Sequence, residues 1–75
     1  MLEEVMARIV AEYALFLQFS DDNTLDPKLA TSMLEGLAAD LEALSPSDRG
    51  HFSYLMQRLA DSQELSAHAA FLRSL

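Results

Sequence analysis

The sequence contains no cysteine and no tryptophan, and only two glycines and two prolines occur among its 75 residues. Without cysteine, disulfides and thiolate metal sites are excluded, and the composition suits a reducing cytoplasm. No unbroken apolar run approaches the length of a membrane-spanning helix. Glu3 and Glu4 stand where a secretory signal peptide carries positive charge. We therefore expect a cytoplasmic protein of one domain with no membrane contact, since so short a chain holds no second domain.

Basic residues are also scarce, with five against 12 acidic residues and a net charge of −7. Residues 1–48 carry 10 acidic and two basic residues, whereas residues 49–75 carry two acidic and three basic ones. Binding to a nucleic-acid backbone needs the opposite sign of charge, so we expect no direct nucleic-acid binding. Lysine, isoleucine and asparagine occur once each and alanine 11 times. This bias against AT-rich codons favours a bacterial or phage source.

Large apolar side chains are abundant, since 27 of the 75 residues are Leu, Ile, Val, Met, Phe or Tyr. Their spacing, with the start signals Asp26-Pro27, Ser45-Pro46 and Asp61-Ser62, predicts helices over about 2–19, 27–44, 46–60 and 62–73. The predicted fold is therefore all-α, a small antiparallel bundle of four helices. The last two helices form one bent helix in the alternative interpretation, because the break near Asp61 is the weakest boundary.

Each predicted helix has an apolar stripe that we expect to face the core. Gly36 lies within the stripe of the second helix and is interpreted as the site of a close helix crossing. The predicted core residues are Leu2, Val5, Met6, Ile9, Tyr13, Phe16 and Leu17 in the first helix, Ala30, Met33, Leu34, Leu37, Ala38, Leu41 and Leu44 in the second, Phe52, Leu55, Met56 and Leu59 in the third, and Leu65, Ala69 and Leu72 in the fourth.

The apolar content exceeds what a bundle of this length is able to bury, which predicts a homo-oligomer or another protein partner. Residues 13–19 are apolar on almost every side of the first helix and carry most of the surplus. The predicted self-association residues are Tyr13, Phe16, Leu17, Phe19, Phe71 and Leu75.

The acidic residues suggest an alternative function, in which the chain inhibits a basic protein partner as immunity proteins, antitoxins and DNA mimics do. In that alternative one acidic surface lies near the corner between the first two helices. Its predicted residues are Asp21, Asp22, Asp26, Glu35, Asp40 and Glu42. The competing interpretation is that these acids only keep an apolar domain soluble.

No motif in the chain predicts a catalytic site, a cofactor or a metal. Glu64 and His68 share a helix face without further ligands at a recognisable spacing, and the calcium-loop pattern fails in both registers, which start at Asp21 and at Asp22. Tyr54 and Arg58 are of residue types common in binding hot spots, although both also suit an ordinary helix surface. The resulting hypothesis is a small non-enzymatic helical protein-interaction module that acts as a regulator or adaptor and self-associates.

Overall fold

The computed structural model describes residues 2–75 and folds them into four helices. These are α1 (Leu2–Phe19), α2 (Pro27–Glu42), α3 (Pro46–Asp61) and α4 (Ser66–Ser74). No strand occurs within that range, so the predicted all-α bundle of four helices is confirmed. The bounds of α1 agree with the prediction, whereas α2 ends two residues earlier than predicted.

Two of the predicted helix starts are confirmed by their capping hydrogen bonds. The Asp26 carboxylate accepts a hydrogen bond from the Lys28 backbone N–H at 3.0 Å, and the Ser45 hydroxyl accepts one from the Asp48 N–H at 3.1 Å. A proline follows each cap, where its lack of an N–H costs no hydrogen bond. These caps separate α1 from α2 and α2 from α3.

The predicted start of α4 is wrong, because Asp61 is the last residue of α3 and not a cap. The Ser62 hydroxyl and the Gln63 amide both donate to the Leu59 carbonyl, at 2.8 and 3.2 Å, and so terminate α3. α4 begins only at Ser66. Residues 62–65 therefore separate α3 from α4, and the alternative of one bent helix is also wrong.

The inner face of α1 is made of small residues. Ala7, Ala11 and Ala14 are buried together with Leu17, and α1 contacts each of the other three helices. Alanine lets the helix backbones approach closely, so this face packs well without large side chains. The large residues of the predicted buried stripe lie on the other side of α1 and are exposed: Leu2, Val5, Met6, Ile9, Tyr13 and Phe16. For α1, the predicted core is therefore wrong except at Leu17.

The rest of the core comes mainly from α3 and α4. Met56 and Leu72 are the largest fully buried side chains, and both belong to one cluster with Ala7 and Ala11 of α1. The other buried members are Leu55, Ala60 and Ala69, and the partly buried apolar residues around them are Leu15, Phe52, Leu59, Phe71 and Leu75.

The remaining core predictions are only partly correct. Leu65 is exposed because it is the N-cap residue of α4. In α2 only Ala30 is buried; the large apolar residues that follow it are half-buried, and the predicted core residue Ala38 is exposed. A Cβ added to Gly36 would meet nothing within 4 Å, so the predicted close helix crossing at Gly36 is wrong.

Candidate interaction surface

The clearest feature of the molecular surface is the outer face of α1, which we define by the six exposed residues Leu2, Val5, Met6, Ile9, Tyr13 and Phe16. The exposed fraction of these side chains runs from 38% at Tyr13 to 69% at Leu2. All six point away from the alanines that pack α1 onto the bundle. The face is about 21 Å long at 1.5 Å per residue. A contiguous apolar strip of this kind typically marks an interaction site.

One edge of the outer face carries a pair of opposite charges. Arg8 and Glu12 lie one turn apart along this edge, and both are exposed. Neither forms an ion pair with any residue in the described range 2–75. Residues 1–48 carry the net negative charge of the chain, and Arg8 is one of only two basic residues among them. This edge therefore offers an unpaired positive group beside an unpaired negative one.

The C-terminal end of α1 continues into an aromatic cluster. The Phe19 ring lies 4.3 Å from the His68 ring, centroid to centroid, and 5.7 Å from the Phe71 ring in a T-shaped arrangement. Phe19 is still exposed over part of its surface. Phe16 and Phe19 line one shallow depression with His68, so this cluster borders the outer face of α1.

The six predicted self-association residues do not form one surface. Tyr13 and Phe16 belong to the outer face of α1, and Phe19 lies at its border. Leu17 is 3% exposed and belongs to the protomer core, so it is not part of a surface that a second copy could contact. Phe71 and Leu75 are half-buried and line a separate apolar groove, which they share with Leu34, Leu37 and Leu41 of α2.

The two predicted hot-spot residues contact each other, and Arg58 also contacts α1. The Arg58 guanidinium carbon lies 5.9 Å from the centre of the Tyr54 ring. The same guanidinium donates to the Glu4 carboxylate at 3.3 Å, which ties α3 to α1. Both partners of this ion pair are more than half exposed, so the pair contributes little to stability. Arg58 thus has a role within the protomer.

The predicted acidic residues are all exposed, but they are spread along α2 and the loop before it. Asp26 precedes the first turn of α2 and Glu42 ends the helix, which separates them by about 24 Å at 1.5 Å per residue. The structure therefore does not gather these acids at one corner.

Asp21 has a local role in the loop before α2. Its carboxylate accepts a hydrogen bond from the Thr24 N–H at 2.8 Å, and hydrogen bonds from the Thr24 side chain and backbone lower the Asp21 pKa.

Among residues 2–75, no group of three His, Asp or Glu side chains is placed to hold a metal ion. His68 faces the Phe19 ring, and Glu64 is exposed in the segment before α4. No helix in the described part of the chain has the length and apolar character needed to cross a membrane.

Sequence reasoning missed the division of α1 into an inner and an outer face. Ala7, Ala11 and Ala14 follow the same 3.6-residue period as the large apolar residues, on the opposite side of the helix. Two apolar faces on one helix, one small and one large, indicate packing on both sides. This alanine spacing was the signal that could have shown that α1 has a second apolar face.

Known proteins give no indication of the family or the function of this chain. No family model matches the chain, and no curated protein sequence and no solved structure shows significant similarity to it.

Proposed function

We propose that this protein is a non-enzymatic helical interaction module that self-associates through the outer face of α1, and that it acts as a regulator or adaptor. The observation that carries the proposal is the exposure of six large apolar residues on one side of α1. The opposite side of the same helix already packs on the bundle. A helix that is apolar on two sides needs a neighbour on each of them.

The size of the outer face supports this proposal. A fully exposed large side chain offers about 200 Å². With their exposed fractions, the six residues leave roughly 600 Å² of largely apolar surface on each copy. Two copies face to face would then bury at most about 1,200 Å², against the roughly 1,000 Å² expected of a specific interface. This area is at the upper end of the apolar patches found on monomeric proteins, which are often functional.

The alternative function, inhibition of a basic protein through an acidic surface, has less support. Its six predicted residues extend from the loop before α2 to the end of that helix. Their negative charge would steer a basic partner towards α2. Steering, however, requires no particular arrangement of these six carboxylates, which are spread along α2 and the loop before it. We therefore prefer the module that binds through α1.

Sedimentation of the purified protein tests the proposal. We expect the wild-type chain to form a dimer at tens of micromolar and Ile9→Glu to be monomeric, because this change places a charge in the centre of the apolar face. The matched control is Leu29→Glu, which adds the same charge at another exposed leucine, 51% exposed in the first turn of α2. This control should remain dimeric.

Two results would contradict the proposal. A wild-type monomer at several hundred micromolar would exclude self-association. Dimers of equal stability in wild type and Ile9→Glu would locate the contact outside the outer face of α1. Circular dichroism of both variants checks that the helices are retained.

A further inference from the structure

We propose that the occupant of the outer face of α1 is the same face of a second copy, packed antiparallel about a two-fold axis at Ile9. This inference rests on the proposed function and adds the partner, its direction and its register. It follows from the spacing of the exposed residues and from the charges beside them.

The spacing is that of a helix-pairing seam. Leu2, Met6, Ile9, Tyr13 and Phe16 follow one another at intervals of four, three, four and three residues. Alternating steps of three and four place apolar side chains along one line of a helix that packs against another helix. Five consecutive positions extend over nearly the whole of α1. The seam is therefore long enough to pair with a second helix of the same length.

The seam is also nearly symmetric about Ile9, because Leu2 and Phe16 each lie seven residues from it and Met6 and Tyr13 lie three and four residues from it. When two copies run antiparallel with Ile9 opposite Ile9, Leu2 of each copy lies opposite Phe16 of the other. Met6 then lies within one residue, about 1.5 Å along the axis, of the level of Tyr13. Leu2 and Met6 therefore each meet a large aromatic residue, which suits interdigitation of the two faces. A closed two-fold contact of this kind uses the same surface on both copies and leaves none of the seam uncovered.

The charges at the edge of the face favour the antiparallel direction. In an antiparallel pair, the edge that carries Arg8 and Glu12 faces the same edge of the second copy. Arg8 of each copy then comes within about 3 Å, along the helix axis, of the level of Glu12 in the other copy, and it lies between this Glu12 and the other Arg8, which is also about 3 Å away along the axis. Two reciprocal ion pairs form, and both use groups that lack an ion-pair partner within residues 2–75 of the protomer.

The parallel arrangement lacks this complementarity. The edge with Arg8 and Glu12 would face the opposite edge of the second helix, where Val10 lies at the level of these charges. Parallel packing also sets the helix dipoles side by side with like ends adjacent. Leu2 would meet Leu2, and Phe16 would meet Phe16. The antiparallel direction is therefore preferred by shape and by charge.

Cysteine cross-linking distinguishes the two directions, and the natural chain provides a clean background because it has no cysteine. The variants Ile9→Cys, Leu2→Cys and Phe16→Cys all change exposed side chains, so the protomer fold should be kept. Each is treated with a short bis-maleimide and analysed on a denaturing gel. In the antiparallel dimer, the two Leu2 positions are about 21 Å apart along the axis.

We expect Ile9→Cys to cross-link with itself, Leu2→Cys alone to remain uncoupled, and a mixture of Leu2→Cys with Phe16→Cys to give a mixed dimer. Cross-linking of Leu2→Cys with itself as efficiently as Ile9→Cys would establish a parallel dimer, which overturns this inference but leaves the proposed function standing. Absence of every cross-link in a chain that sediments as a dimer would also overturn it. A monomer by sedimentation would overturn both.

Charge reversal gives an independent measurement. Arg8→Glu and Glu12→Arg should each weaken the dimer about tenfold or more, because each replaces two opposite-charge contacts with two like-charge contacts. The double variant carries the same groups in exchanged positions and should recover dimer affinity to within a few-fold of wild type. Single variants that dimerise like wild type, or a double variant as weak as its parents, would overturn the proposed register.

Discussion

Ile9 and Ala11 lie two residues apart in α1 and on opposite sides of it, and the larger of the two is the exposed one. Ile9 is 57% exposed, whereas Ala11 is 3% exposed and belongs to the core cluster with Met56 and Leu72. The buried side of α1 is therefore the side that the other helices approach closely, and it is not the side with the more hydrophobic residues.

The close approach at Ala11 predicts that a larger side chain is not accommodated there. Ala11→Leu should lower the free energy of unfolding by about 1–3 kcal/mol, since added methylene groups force the packed helices apart. The control is Ala39→Leu, the same change at an exposed alanine within α2, which should change stability by less than about 0.5 kcal/mol. Urea denaturation followed by circular dichroism measures both. Equal effects of the two variants would contradict the inner-face assignment.

Two methionines provide a matched pair for the core itself. Met56 is 1% exposed and Met6 is 56% exposed. Met56→Ala should cost about 2–5 kcal/mol because it opens a cavity in the main cluster, a large fraction of the total stability of a small domain. Met6→Ala should cost well under 1 kcal/mol in the protomer. Both variants are compared by chemical denaturation in an Ile9→Glu background, where self-association does not contribute. Similar losses of stability in the two variants would contradict the assignment of Met56 to the core.

The element order and helix type could be predicted from the sequence because their signals are local. Asp26-Pro27 and Ser45-Pro46 each combine a capping side chain with a proline that suits the first helical position, and the structure uses both. The Asp61-Ser62 signal failed because Ser62 and Gln63 bond back to the Leu59 carbonyl. The side chains near residue 62 are therefore able either to start α4 or to end α3. The sequence alone does not show which of these two roles is more stable.

The exposed surface could not be predicted because two faces of α1 are both apolar. The periodicity of Met6 and Ile9 identifies a helix face but does not state which neighbour covers it. The inner face was decided by tertiary packing of Ala7 and Ala11 against α3 and α4. Tyr13 and Phe16 were predicted as contact residues from composition, and whether a second molecule binds there stays a prediction.

Gly36 provides a test of the open environment on α2. A Cβ at this position meets nothing within 4 Å, and the backbone has no positive φ there. Gly36→Ala should therefore stabilise the protein by about 0.5–1 kcal/mol, since alanine loses less backbone entropy in a helix. Thermal and urea denaturation measure the change. A loss of stability would mean that another helix lies close to Gly36.

The loop before α2 predicts a specific pH dependence. Hydrogen bonds from the Thr24 side chain and then from its backbone N–H lower the pKa of the Asp21 carboxyl below its ordinary value. Because the pKa is lower in the folded state than in the unfolded chain, Asp21 contributes stability above the ordinary Asp value of about 3.9. This contribution is lost as the pH falls through the lowered pKa of the folded state.

A carboxyl-detected NMR titration measures this pKa directly. We expect Asp21 to titrate below the ordinary Asp value in wild type, and Thr24→Val to move its pKa back towards that value. The valine removes the Thr24 hydroxyl and keeps both the β-branched shape and the backbone N–H that donates to Asp21 at 2.8 Å. Part of the shift should therefore remain in the variant. An Asp21 that titrates at or above the ordinary value in wild type would show that Thr24 does not hold this turn.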